Sequence, residues 1–127
     1  MVVIDTSIII DHLRKSVDDS TLLRLFEKYP NETFCISLVS IQELYESQST
    51  RDEVKENQLT ITLSSFEILP YLMETAKLAG KIARDTKFPI EFADAAIAAT
   101  TISNQAKLCT LNEKHFEDIP NLDLLHT

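Results

Sequence analysis

Four places along this chain put oxygen side chains where apolar runs end. Met1-Val2-Val3-Ile4 stops at Asp5, followed directly by Thr6 and Ser7. Cys35-Ile36-Ser37-Leu38-Val39-Ser40-Ile41 leads to Glu43. Asp94 stands inside Phe92-Ala93-Asp94-Ala95-Ala96-Ile97-Ala98-Ala99, a helix start otherwise made of small and apolar residues. Lys107-Leu108-Cys109 ends in Thr110 and Asn112. Carboxylates gathered at one place repel, and without a cation they cannot all stay ionised at neutral pH. Asp and Glu with hydroxyl or amide oxygens, and no His or Cys beside them, suit Mg²⁺ or Mn²⁺. A site of that kind can generate hydroxide and stabilise an in-line displacement at phosphorus.

These side chains meet only if the elements deliver them to one edge. The hydrophobic periodicity predicts strands at 2–5, 33–37, 66–69, 107–110 and 122–125. It predicts helices at 7–15, 19–29, 38–49, 71–86 and 91–104, a polar helix at 51–61 and a short helix at 113–117. Pro30-Asn31, Pro70 and Pro89 mark divisions between them. Strands alternating with helices predict an α/β fold, a parallel sheet covered on both faces. In such sheets ligands bind outside the carboxyl ends of the strands. Asp5 falls at that end of the first strand. The stretch 50–65 has two readings: Ser49 to Asn57 is helix-compatible, while Thr60-Ile61-Thr62-Leu63 alternates like a strand. On the helix at 71–86, Leu72, Ala76, Ala79 and Ala83 form the expected core stripe, opposite Lys77, Lys81 and Arg84.

Each candidate also has a plainer role. Glu43 can be a helix-surface acid, and Glu46, three residues on, competes for the same place. Ser40 with Glu43 could cap a helix, although its start fits Ser37 better. Asp94 in a first helical turn complements the helix dipole, but that does not require such apolar surroundings. Thr110 and Asn112 also make an ordinary exit from a strand. Cys35 and Cys109, without Cys-x-x-Cys spacing, read as buried small hydrophobes. His115 reads as structural or exposed, and His12 and His126 have no acid partner in the sequence.

Composition narrows the classes. At 127 residues, 44% hydrophobic and 25% charged, the chain reads as one globular domain spanning 1–127. Twelve Lys plus Arg against 20 Asp plus Glu give a net charge of −8, poor for general phosphate-backbone binding. A bound divalent ion would invert that field locally. The single glycine, Gly80, excludes a P-loop and a dinucleotide-binding glycine turn. Ser7 stands where a haloacid-dehalogenase phosphatase has its second acid, and no lysine matches a response-regulator receiver. No secretory leader or membrane span is expected, which predicts a cytoplasmic protein.

In order along the chain, Val2-Val3-Ile4-Asp5-Thr6-Ser7, Ser40-Ile41-Gln42-Glu43-Leu44, the Phe92 to Ala99 segment and Leu108-Cys109-Thr110-Leu111-Asn112-Glu113-Lys114-His115-Phe116 resemble the blocks of PIN domains. The length and the closing Ile119-Pro120-Asn121-Leu122 resemble the VapC-type toxins of prokaryotic toxin–antitoxin pairs. The resemblance implies a three-layer α/β/α sandwich around a mainly parallel sheet of about five strands. It implies an Mg²⁺- or Mn²⁺-dependent endoribonuclease, a homodimer and a small cognate antitoxin. Asp5, Glu43 and Asp94 match the catalytic acids, with Asp5 and Asp94 as metal ligands and Glu43 as a further candidate. Thr6 and Thr110 match supporting hydroxyls. Asn112 stands where many relatives have a fourth acid, which removes one negative charge from the site. The alternative is a PIN-like domain that binds RNA or protein without cutting. Ile9, Leu13 and Tyr45 exceed what one sheet face is expected to cover, and the resemblance implies that an antitoxin segment packs there.

Overall fold

A computed structural model describes residues 1–127. Its centre is a five-stranded sheet of β1 (Val2–Ile4), β2 (Phe34–Ser37), β3 (Glu67–Leu69), β4 (Lys107–Cys109) and β5 (Asp123–Leu124). The spatial order is β3-β2-β1-β4-β5, and every neighbouring pair is parallel. Period-two alternation sends successive side chains to opposite faces. Val2, Ile4, Phe34, Ile36 and Cys109 join one core cluster, while Val3, Cys35 and Leu108 join the other. Parallel strands need crossover helices, so both faces are covered.

One face carries α1 (Thr6–Arg14), α2 (Thr21–Lys28), α3 (Leu38–Tyr45) and α4 (Glu53–Leu63), which contribute Ile8, Ile9, Leu22, Leu25, Leu44 and Leu59. The other carries α5 (Met73–Asp85) and α6 (Phe92–Ser103). Ala95, Ala96, Ala98 and Ala99 are buried almost completely. Alanine's small side chain lets α6 sit close to the sheet, which brings its first turn down to the strand ends. The three-layer α/β/α sandwich is therefore present. No helix is long and apolar enough to cross a membrane.

Several boundaries shift, each for a local reason. The first strand ends at Ile4, and Asp5 takes the N-cap position of α1 with extended backbone. Its N–H still donates to the Cys109 carbonyl, continuing the ladder one residue further. The helix α3 stops at Tyr45, because Ser47 opens a 3-10 turn at Gln48–Arg51 and caps its N–H at Ser49. As the sequence indicated, the start of α3 is capped by Ser37, whose Oγ accepts from Val39. Thr60 to Leu63 belong to α4, not to a strand. The β preference of such a segment spans only ~1 kcal/mol, whereas burying one leucine is worth about 1.5–3 kcal/mol. Helical geometry puts Leu59 and Leu63 on one side, where Leu59 is buried and Leu63 packs beside it.

The core stripe of α5 also differs from expectation. Thr75, Ala79 and Ile82 are buried and Leu78 packs against them, whereas Leu72, Ala76 and Ala83 face solvent. The helix begins only at Met73, and packing turns it so that the 75-78-79-82 stripe meets the sheet. Lys77, Lys81 and Arg84 are exposed, as their opposite stripe requires. Both cysteines are free and buried, and burial pushes the Cys109 thiol up to about 11. Asp11, also buried, accepts from the Thr21 N–H and pairs with Lys15 at 2.6 Å, tying α1 to α2.

Candidate active site

Asp5 is 3% exposed, an expensive place for a carboxylate unless its oxygens are met. Two hydroxyls meet the same one: Ser7 Oγ and Thr110 Oγ1 each donate to Oδ2 at 2.7 Å. Oδ1 is left free of protein donors and reaches solvent. Ser7 is in the first turn of α1 and Thr110 directly follows β4, so the ends of two adjacent strands fix one carboxylate. The chain beyond is anchored too. The Leu111 N–H donates to Ser7 Oγ at 3.2 Å, and the Asn112 N–H to Thr110 Oγ1 at 3.0 Å.

Glu43 lies in the second turn of α3, half-buried. Thr6 Oγ1 donates to its Oε1 at 2.7 Å and lies 3.0 Å from the buried Ser40 Oγ. Burial raises the Glu43 carboxyl above its ordinary range; the Thr6 bond works against this, and the charges of Asp5 and Asp94 add to it. Asp94, in the first turn of α6, is likewise raised, first by burial and then by the charge of Asp5. His115 opposes the shift, its Nδ1 lying 3.2 Å from Asp94 Oδ2. Asp5, Glu43 and Asp94 thus occupy one edge and feel one another's charge.

They are not drawn into a ready chelate: no three His, Cys, Asp or Glu side chains converge to hold an ion. Each acid has a separate protein partner, and mutual repulsion favours that separation. The donor chemistry nonetheless fits a hard divalent cation. All three groups offer oxygen, Asp5 retains an open Oδ1, and two of the carboxyls sit where burial and like charge favour neutralisation.

The other candidates sort clearly. Glu46 is exposed and takes a hydrogen bond from Gln42, so it is no rival to Glu43. Asn112 is exposed, and its backbone, not its side chain, is tied to Thr110. His115 is exposed as expected, but its contact with Asp94 makes it part of the site. No spacing rule could have found it, because the 3-10 turn at Glu113–His115 sets its direction. Ser7, which in the sequence only stands where a phosphatase has its second acid, is an Asp5 partner. His126 does have an acid partner, Glu113 at 2.7 Å, whereas His12 pairs with Ser20.

The PIN domain family model matches residues 2–122. The chain belongs to the PIN-domain family. It is 30% identical to Ribonuclease VapC19 of Mycobacterium tuberculosis, over 96% of this chain and 97% of the relative. It is also 30% identical to Ribonuclease VapC of Rickettsia bellii, over 97% of this chain and 93% of that one. In structure it is similar to VapBC2 from Rickettsia felis, solved bound to a promoter DNA fragment. That match has a TM-score of 0.83 at 28% identity and covers 99% and 98% of the two chains.

Proposed function

We propose that this PIN-domain protein is the toxin of a VapBC-type toxin–antitoxin pair, an endoribonuclease dependent on Mg²⁺ or Mn²⁺. The observation that carries the catalytic part is the edge shared by Asp5, Glu43 and Asp94, with Thr6, Ser7 and Thr110 orienting the first two. Whole-length similarity to VapC ribonucleases supports the same reading.

Asp5 and Asp94 would hold the cation, and Glu43 is the further candidate ligand. When bound, such an ion supplies Lewis-acid stabilisation of charge developing at phosphorus and acidifies water at neutral pH. The protein's own groups do the rest. Ser7 and Thr110 fix Asp5 through Oδ2 and leave Oδ1 without a protein donor. Thr6 orients Glu43 through Oε1. Burial and the charges of Asp5 and Asp94 raise the proton affinity of Glu43, and the Thr6 hydrogen bond opposes them.

The antitoxin reading is supported by a groove of about 340 Å³, lined by Ile10 and Leu13 of α1, by Glu43 and Leu44 of α3 and by Leu59 of α4. An amphipathic antitoxin segment would lay apolar side chains on Ile10 and Leu13 and reach Glu43 with a basic residue. Ile9 takes no part, since the protein's own core buries it fully; Tyr45 is exposed outside this groove, donating to Glu56. A homodimer is supported by Leu72 and Met73 at the start of α5, which are 60% and 72% exposed.

The decisive assay incubates the protein with structured and single-stranded RNAs, with and without Mg²⁺ or Mn²⁺. Cleavage should require the ion and collapse in Asp5→Asn and Asp94→Asn. Metal-dependent activity that survives unchanged in both variants would overturn the assignment. RNA binding without cleavage would leave the non-catalytic PIN-like reading.

A further inference from the structure

Beside the acids, Lys114 and His115 form a ridge between two cavities and line both. A basin of about 680 Å³ runs from Thr110 and Asn112 to His126. The other cavity, about 340 Å³, lies between the loop joining α5 to α6 and the 3-10 turn at Glu113–His115. Its size is at the low end of the ~300–1,000 Å³ typical of small-ligand pockets. Phe88 forms one wall of it, Glu91 and Asp118 offer carboxylates, and Asp94 opens it to the catalytic edge.

The distribution of charge decides which part of a nucleotide goes where. Lys114 is the only Lys or Arg lining either cavity, and the neighbouring carboxylates of Asp94 and Glu113 contact His115 and His126 instead. Its ammonium is therefore available to a phosphate. Inside the smaller cavity Glu91, Asp94 and Asp118 repel phosphate but accept hydrogen bonds from amino groups. Phe88 is 61% exposed, and Lys87 Nζ lies 5.6 Å from its ring centroid on one side, which leaves the other face of the ring as a surface for a base.

Building on the ribonuclease reading, we propose that this ridge and cavity form the subsite for a nucleotide flanking the scissile phosphate. Lys114 anchors its phosphate, Phe88 stacks its base, and Glu91 or Asp118 accepts from the exocyclic amino group of adenine, cytosine or guanine. Uracil lacks that group. The subsite thus favours single-stranded RNA with an amino-bearing base at this position.

The test measures fluorescence anisotropy of short fluorescein-labelled A, C and U homopolymer RNAs against the full chain over a range of salt concentrations. The parent should prefer the A and C polymers to U. Lys114→Gln should weaken all three and reduce the salt slope by about 0.7, the share of one single-strand phosphate contact, and Lys114→Arg should restore it. Phe88→Ala should weaken A and C binding about fivefold or more with the slope unchanged, and Phe88→Tyr should bind as the parent does. Both positions are exposed, so matching thermal melts are expected. An unchanged slope in Lys114→Gln, or equal parental affinity for the A, C and U polymers, overturns the subsite. A change in sedimentation of Phe88→Ala would assign that ring to a protein interface and overturn it too. A parent that cuts RNA while both variants bind it normally overturns the subsite alone. A parent that neither binds nor cuts RNA removes the ribonuclease reading and the subsite together.

Discussion

Thr110 donates its hydroxyl to Asp5 Oδ2 over 2.7 Å, joining residues 105 positions apart at the ends of neighbouring strands. Ser7 donates to the same oxygen, so the direction of Oδ1 depends on two hydroxyls. Removing one hydroxyl should cost precision without unfolding the chain. Thr110→Val is expected to lower RNA cleavage about 10–100-fold, the usual effect of losing a partner that orients a ligand. Thr110→Ser should stay close to the parent. Initial rates on one RNA check this, and a Val variant at the parental rate would refute it.

Glu43 and Asp94 tie stability to pH. Both carboxyls are raised, first by burial and then, among other causes, by neighbouring acids. An acid whose folded pKa lies above its unfolded value, about 4, binds its proton more tightly when folded. Its contribution to stability is complete below the unfolded value and is lost as pH rises through the folded one. Without metal, Asp94→Asn should therefore melt higher than the parent at neutral pH, by a margin that shrinks towards pH ~4. Mg²⁺ or Mn²⁺ should raise the melting temperature of the parent more than that of the variant. A variant that melts lower without metal would return Asp94 to a helix-dipole role.

Gly80 sits inside α5 with no positive φ, and a Cβ built there meets nothing within 4 Å. Its freedom in the unfolded chain has no use in the folded one. Gly80→Ala should stabilise the protein by about 0.5–1 kcal/mol. Urea denaturation should show a higher midpoint at an unchanged slope. A lower midpoint would mean that the exposed side of α5 packs tightly against another chain.

Leu13 is 38% exposed and lines the groove that ends at Glu43. If an antitoxin segment packs there, Leu13→Asp should weaken the complex about tenfold or more, by removing an apolar contact and adding a like charge near the acids. RNA cleavage by the free toxin should persist. Calorimetric titration with the cognate antitoxin measures the first effect and an initial-rate assay the second. Equal affinity of the variant and the parent would place the antitoxin elsewhere.

Much was legible from residue types alone. The β-branched run before Asp5, the Ser37 cap, the alanine-rich start of α6 and the two cysteines in strands are local signals, and each led to the right element. So did the placing of Asp5 at a strand end and Asp94 at a helix start, because the alternation of strand and helix dictates a parallel sheet with one carboxyl edge, whereas Glu43 reaches that edge from the second turn of α3. The stripe of α5, the fate of Thr60 to Leu63 and the burial of Ile9 were decided by packing, where a leucine's burial outweighs local preference. The partners of the acids were also decided there. That Ser7 and Thr110 share one oxygen of Asp5, or that His115 turns back to Asp94, depends on the stagger of β1 against β4 and on a single 3-10 turn. Those are angles and registers between distant segments, and they exist only once the chain has closed on itself.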